Sequence, residues 1–479
     1  MADFENIQID RRPLWAVLIS KVWRTALFLC VFAGLVWVLR HNPPAGWTPV
    51  SFKAFSIFCF IVFLWATGLI PPPIASVFAI VLLPMAGVIT SKEAFALFGS
   101  ESVFFVLGAL ILSAAIYMSG LARRLALLLL KAFADTPRRL VTVVFLFCAL
   151  ASFFMLGNGV AAVILPIVLS IITELKLERI HPNIPRAVVT AMWWGTSIGS
   201  IATVLGGART ILTLAILEQV TGKFVGFPGW SLHVLPISVA LIAVALWILH
   251  RHFALPETSL EALRPFLQNR LIQIGRMRAA ERFTALVLVL TILAWVTLGR
   301  RYGMAAVALS SIVAFFVFRI FNWEEVEGYV NWGVILMYGG AVTLGVALVQ
   351  SGAAAKMTDL LGAHIPASGV LFLTALFAVV QLFTQTMSAS ATVAIFLPVA
   401  LSLAPATGVL PASCAFAVGA AAGLHLLLPA GGPNAALAYS TGYLKTGDLI
   451  RPVGLIFVSS VLIFAAVAGF WWPVLDAAR

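Results

Sequence analysis

Residues 155–166 read MLGNGVAAVILP, and residues 387–398 read MSASATVAIFLP. Each stretch places a few small residues ahead of an apolar run that ends in proline. A slide of 232 residues lays 154–170 on 386–402 without a gap, matching Met155 with Met387, Ala162 with Ala394, Leu165 with Leu397, Pro166 with Pro398, Leu169 with Leu401 and Ser170 with Ser402. Both copies sit in apolar tracts long enough for two short helices, with Gly, Ser or Asn at the turn. A backbone break at membrane depth frees N–H and C=O groups that hydrocarbon cannot satisfy, so it must face protein or a wet cavity. The two tracts therefore read as re-entrant helical hairpins, at about 138–180 and 366–404.

The rest of the chain supports a membrane setting. Its 479 residues are 62% apolar and only 10% charged, with a mean hydropathy of +1.07, a balance that leaves no polar surface for a soluble domain. The expected fold is an all-α polytopic membrane protein. Candidate spans lie near 23–41, 51–70, 73–90, 102–119, 187–218, 231–250, 283–300, 303–321, 330–351, 410–444 and 452–472, about eleven in addition to the hairpins. The first span has no small-residue cleavage site after it, so the N-terminus is expected to be retained. Cys30, Cys59, Cys148 and Cys414 stand singly in apolar segments and read as packing residues rather than metal ligands. A net charge of +12 could suggest nucleic acid, but the basic residues cluster between apolar spans. That pattern marks cytoplasmic loops, at 120–140, 175–186 and 251–282, and puts the N-terminus on the cytoplasmic side of a bacterial inner membrane.

The same slide lays the span at 51 on the span at 283, and GSIATVLGGART (199–210) corresponds to GLHLLLPAGGPN (423–434), each with a Gly-Gly turn inside a long apolar helix. Five spans and one hairpin make each half. Because five is odd, the second half must be inverted relative to the first, as in secondary transporters. The expected division is an N-terminal segment and first span (1–50), a first repeat (51–250), a basic cytoplasmic connector (251–282), a second repeat (283–472) and a tail (473–479).

In such folds the broken elements meet near the bilayer midplane, where helix N-termini hold anions and freed carbonyls hold cations. Four pieces are expected to converge: 156–160, 206–210, 388–392 and 431–434. None contains Asp or Glu, whereas Arg209 lies in one and His425 six residues before another. A buried cation needs a partner, and a transported carboxylate, sulfate or sulfonate would supply it. The substrate-binding candidates are Gly157, Asn158, Gly159, Arg209, Thr210, Ser388, Ala389, Ser390, Thr392, Pro433 and Asn434. Gly199, Gly206, Gly423 and His425 are candidates for a cation or proton site, with no metal or organic cofactor expected.

GYLKTGDLIRPVGLIF (442–457), preceded by LPAGGPNAALAYST, resembles the end of the divalent anion/sodium symporter family. VNWGVILMYGG (330–340), SIGSIATVLGG (197–207) and ATVAIFLP (391–398) are similar to other blocks of that family. The resemblance implies a homodimer with scaffold and transport domains that moves di- and tricarboxylates or sulfate by an elevator mechanism. Coupling to sodium is usual, with anion exchange in some branches.

The departures from the family bear on coupling. Its Ser-Asn-Thr hairpin tips align with Leu156-Gly157-Asn158 and Ser388-Ala389-Ser390, although a one-residue gap would bring Asn158 into the asparagine slot. Its TPPN loops align with Gly207-Ala208-Arg209-Thr210 and Gly431-Gly432-Pro433-Asn434. Sodium needs several oxygen ligands in place of its water shell, and the lost side-chain oxygens argue against it here. Arg209, helped by His425, is expected to supply fixed positive charge instead, giving a sodium-independent exchanger of small (di)carboxylates or related anions. A sodium- or proton-coupled symporter is the alternative, with His425 as the proton site. An intramembrane transferase or a channel lies outside this class.

The IPPP at 70–73 reads as a span boundary and Glu93 and Glu101 as aqueous-face residues. Trp193 and Trp194 read as packing, and Trp471 and Trp472 as an interfacial belt.

Overall fold

The computed structural model describes residues 14–361, 366 and 368–477, with side-chain surroundings omitted for Leu14–Lys21, Leu361 and the last two of these. The N-terminal thirteen residues and the end of the tail, on which part of the topology expectation falls, lie outside the described residues.

Among the described residues the chain is helical throughout, and the first half opens with α1 (Leu14–Arg40), α2 (Pro49–Thr67), α3 (Pro72–Met85), α4 (Ser91–Phe98) and α5 (Glu101–Ser119). A short amphipathic helix, α6 (Leu121–Phe133), leads into the first hairpin, α7 (Pro137–Ala151) and α8 (Gly157–Glu174). After α9 (Leu177–Ile180), the expected 187–218 span is two helices, α10 (Asn183–Gly199) and α11 (Ala208–Thr221), separated by a 3-10 turn at Val204–Gly206. α12 (Phe227–Phe253) and α13 (Leu263–Ile274) follow.

The second half contains α14 (Ala279–Thr297), α15 (Gly299–Tyr302), α16 (Met304–Val317), α17 (Trp323–Glu327), α18 (Trp332–Gln350) and α19 (Ala353–Leu361). Its hairpin is α20 (Gly369–Phe383) and α21 (Ala389–Thr407). The 410–444 span is likewise broken, into α22 (Pro411–Ala421) and α23 (Pro433–Ser440) around a 3-10 turn at Pro429–Gly431. α24 (Thr446–Ala466) and α25 (Trp472–Ala477) complete it. Among the described residues nine helices are long and apolar enough to cross a membrane; α3 and α16 are shorter than the spans expected from sequence, because left-handed turns at Gly87 (φ 71°) and Arg319 (φ 51°) close them early.

Packing crosses the two halves. α8 lies against α10 and also against α23, while α21 lies against α22 and also against α11, so each hairpin touches the broken helix of both halves. Small residues permit the close approaches that this requires. On α10, a Cβ at Gly195 would lie 2.5 Å from the Phe145 carbonyl oxygen of α7, and on α5 a Cβ at Gly108 would lie 2.6 Å from Ala308 Cβ of α16.

Two expectations need correction here. Cys148 and Cys414 are buried packing residues as expected, but Cys30 and Cys59 are exposed, because their faces of α1 and α2 have no helix beside them in the chain. Trp472 is not an interfacial residue: it is buried, donates Nε1–H to the His233 carbonyl at 3.0 Å and packs edge-on to Phe464. Its neighbour Trp471 is 40% exposed.

Candidate functional site

A cavity of about 570 Å³ opens where the hairpins and broken helices meet. The first two residues of four helices line it: Gly157 and Asn158 of α8, Ala208 and Arg209 of α11, Ala389 and Ser390 of α21, and Pro433 and Asn434 of α23. Helix N-termini carry unpaired N–H groups and the positive end of the helix dipole, so this convergence favours an anion. Among the described residues the lining contains one arginine and no Asp, Glu or Lys.

Arg209 is only 6% exposed. Its Nη2 donates to Ser200 Oγ at 2.9 Å, and no carboxylate among the described residues forms an ion pair with it. Its Nε has no partner among the described residues. The guanidinium lies over two glycines: a Cβ at Gly207 would stand 2.9 Å from Arg209 Cζ, and one at Gly423 would stand 2.7 Å from it. The charge therefore sits where the unwound segments of both halves cross.

Asn434 is held on all sides. Its Nδ2 donates to Thr196 Oγ1 at 3.1 Å and Ser197 Oγ at 2.9 Å, and its Oδ1 lies 2.9 Å from His425 Nε2. Thr196 already donates to the Trp193 carbonyl at 2.8 Å, so it must accept from the amide. That fixes the amide orientation and makes His425 Nε2 the donor, which leaves Nδ1 without a hydrogen in the neutral ring.

The unwound stretch 422–428 exposes carbonyls that could ligate a cation, and side chains bond to five of them. Thr384 donates to Ala422 O (2.8 Å), Gln385 to Leu424 O (2.7 Å), Trp193 to His425 O (3.1 Å), Trp194 to Leu426 O (3.2 Å) and Tyr439 to Leu427 O (2.7 Å). Gln385 Oε1 also accepts from the Leu426 and Leu427 amides at 2.9 and 3.0 Å. In the first half, Trp230 donates to Ile201 O at 2.9 Å and Thr203 to Phe153 O at 2.6 Å. Trp193 and Trp194, expected only to pack, thus also satisfy broken backbone.

Of the residues singled out from sequence, Gly157, Asn158, Gly159, Gly206, Arg209, Ser388, Ala389, Ser390, His425, Pro433 and Asn434 line one cavity. Four do not. Thr210 is buried behind Arg209 with its hydroxyl unpartnered, and Thr392 is buried and donates to Ser388 O, because both follow the lining residues by a further helical step. Gly199 packs on the Ala149 backbone and Gly423 on Arg209, serving close approach rather than lining.

The helix starts align the two halves of the chain with each other. The hairpin helices begin at Gly157 and Ala389, 232 residues apart, so the two tips correspond without a gap and Asn158 pairs with Ser390. The post-break helices follow their N-caps Gly207 and Gly432, 225 residues apart, which places Arg209, not Thr210, opposite Asn434. Sequence reasoning missed the opposite wall, formed by Pro72, Pro73, Leu110, Tyr117, Tyr329, Asn331 and Met337. The IPPP signal was visible, but a proline run marks a helix start equally well, and Pro71 does cap α3.

The family model described as "Sodium:sulfate symporter transmembrane region" matches residues 20–477. The chain is 23% identical over 466 residues to an uncharacterized transporter of Haemophilus influenzae, covering 93% of this chain and 96% of that protein. It is 23% identical over 436 residues to the sodium-dependent dicarboxylate transporter SdcS of Staphylococcus saprophyticus, covering 85% of this chain and 84% of that one. The crystal structure of the Alcanivorax borkumensis YdaH transporter is similar in fold, with a TM-score of 0.55 and 17% identity over 85% of this chain and 99% of that chain.

Proposed function

The chain belongs to the sodium:sulfate symporter transmembrane family, and from that premise we propose that it is a secondary carrier of small organic anions working by sodium-independent exchange. The carrying observation is Arg209: a buried guanidinium at the meeting point of four helix N-termini, in a cavity lined by no carboxylate. An unpaired charge in this position is expensive, and a bound anion relieves the cost. An empty carrier would keep that penalty while crossing, so only the loaded form would return readily. This is the behaviour of an exchanger.

The coupling follows from the same groups. Relatives named as sodium-dependent supply the alternative, sodium-driven uptake. Against it stand the claimed carbonyls of 422–428, the replacement of tip oxygens by Gly157 and Ala389, and the guanidinium lying against Gly423. Dicarboxylates enter as the starting substrate class through the relatives' names. We further propose that the two repeats, 51–250 and 283–472, join through the basic connector 251–282. The hairpins and broken helices would move as a transport unit against a scaffold in a homodimer. The bacterial inner membrane with a cytoplasmic N-terminus is the setting that the basic loops favour.

The test is uptake of labelled organic anion into liposomes holding the purified chain. Internal anion should be required, and replacing sodium by choline should change the rate less than twofold. Sodium-driven accumulation into vesicles that contain no exchangeable anion would overturn the exchanger reading.

A further inference from the structure

We infer that the cavity takes an organic acid with one anionic head and an apolar, aryl-sized body, rather than a compact dianion. The inference rests on the anion-carrier reading above and replaces the dicarboxylate starting class, taken from the relatives' names, by single-headed acids.

Charge is the first reason. Among the described residues Arg209 is the sole Arg, Lys, Asp or Glu on the lining; His425 donates Nε2–H to Asn434, and its buried Nδ1 has no acceptor for the second ring proton that a charged imidazolium would carry. One carboxylate or sulfonate neutralises one guanidinium. A second carboxylate would be left as a net negative charge at membrane depth, which is costly without a cation beside it. Five of the carbonyls freed in 422–428 already accept hydrogen bonds from Thr384, Gln385, Trp193, Trp194 and Tyr439.

The shape of the cavity is the second, independent reason. Its lining is uneven: the helix N-termini and Arg209 form a polar part, while the rest carries Leu110, Pro73, Met337, Tyr117 and Tyr329 with the smaller polar Ser113 and Asn331. The rings of Tyr117 and Tyr329 lie 5.3 Å apart between centroids and are tilted by 47°, which makes a broad aromatic surface. A second carboxylate directed at that wall would find no cation, only the neutral hydroxyls of Ser113, Tyr117 and Tyr329 and the Asn331 amide set among rings, a thioether and aliphatic carbons, whereas an aryl or alkyl body would gain from burial there. The cavity volume of about 570 Å³ also falls in the range of pockets that hold ligands larger than a four-carbon diacid.

The experiment uses the full chain in nanodiscs and liposomes, in choline buffer, with phenylacetate and benzenesulfonate as single-headed probes and succinate and sulfate as dianions. Phenylacetate should raise the unfolding temperature and exchange across the liposome membrane with at least tenfold higher affinity than succinate. Tyr117→Ala should shrink that preference, and Arg209→Gln should weaken all four anions. Succinate binding more tightly than phenylacetate, or needing sodium to bind, would overturn the single-head inference while leaving anion carriage intact. An unchanged preference in Tyr117→Ala would remove the aromatic wall from the account. If no probe stabilises or exchanges although the protein remains monodisperse, both the inference and the carrier reading fall.

Discussion

Arg209 and Asn434 hold the same place in the two halves: each is the second residue of the helix after a break, and each bonds the side chain nine residues before it, Ser200 at 2.9 Å and His425 at 2.9 Å. The shared geometry carries different chemistry. In the first half the pair is a cation and a hydroxyl, and the guanidinium keeps unused donor capacity. In the second half it is an amide whose oxygen and nitrogen are both engaged. Anion recognition is therefore expected to be asymmetric, concentrated on the first half.

Removing that charge should remove binding. Arg209→Gln keeps a donor toward Ser200 but loses the cation, and a hydrogen bond to a charged group contributes about 1.5–3 kcal/mol. Anion affinity, read by thermal shift, should fall by roughly 10- to 100-fold. The variant should elute as a folded protein, because it relieves an unpaired buried charge.

Crowding the guanidinium should act in the same direction without changing any charge. A Cβ at Gly423 would press on Arg209 and on Ile201. Gly423→Ala should therefore lower exchange activity sharply and destabilise the protein by about 1–3 kcal/mol, the usual cost of overpacking. Unfolding curves and exchange assays on the same preparation would check both parts.

Gln385 should behave as a structural residue. It bonds the Leu424 carbonyl and the Leu426 and Leu427 amides at once. Gln385→Leu would leave these buried groups unpaired at about 1–3 kcal/mol each. A fall in unfolding temperature exceeding that of any single-contact variant is expected, whether or not substrate is present.

Asn434→Asp tests the second half through pH. The substitution removes both Nδ2 donors to Thr196 and Ser197 and adds negative charge to an anion site. Anion affinity should drop at least tenfold at pH 8. It should recover as pH falls and the new carboxyl takes up a proton, because the neutral acid restores a donor and cancels the charge. Affinity measured across that range would show a slope that the parent chain lacks.

Far from the cavity, Arg124 and Glu281 anchor α6 to the start of α14. Arg124 donates to Glu281 at 2.5 and 3.0 Å and to the Gly275 and Arg276 carbonyls, with Glu281 2% exposed. This contact keeps the Arg124 guanidinium more basic than usual. Glu281→Gln would remove the anion while Arg124 keeps the Gly275 and Arg276 carbonyls, so the loss is that of hydrogen bonds to a charged group, about 1.5–3 kcal/mol. The unfolding temperature should fall, while anion affinity at a permissive temperature should be retained.

Much of this was legible in the residues themselves. Hydropathy demanded a membrane, and the paired MLGNG and MSASA stretches marked two interrupted hairpins, because small residues followed by an apolar run with proline have few other uses at membrane depth. The absence of acids near Arg209 pointed to an anion. Local sequence could carry these conclusions because each depends on residue type and short spacing. What only tertiary structure decided is which side chains share a space. Gly423 came to lie against Arg209 across the halves, Arg209 rather than Thr210 came to match Asn434, and Trp193, Trp194 and Gln385 were committed to broken backbone more than thirty residues away in the chain or farther. Tyr117 and Tyr329 form one wall only because α5 and the stretch before α18 meet in space. Such pairings are set by the packing of whole helices against one another, and no short window of sequence contains that information.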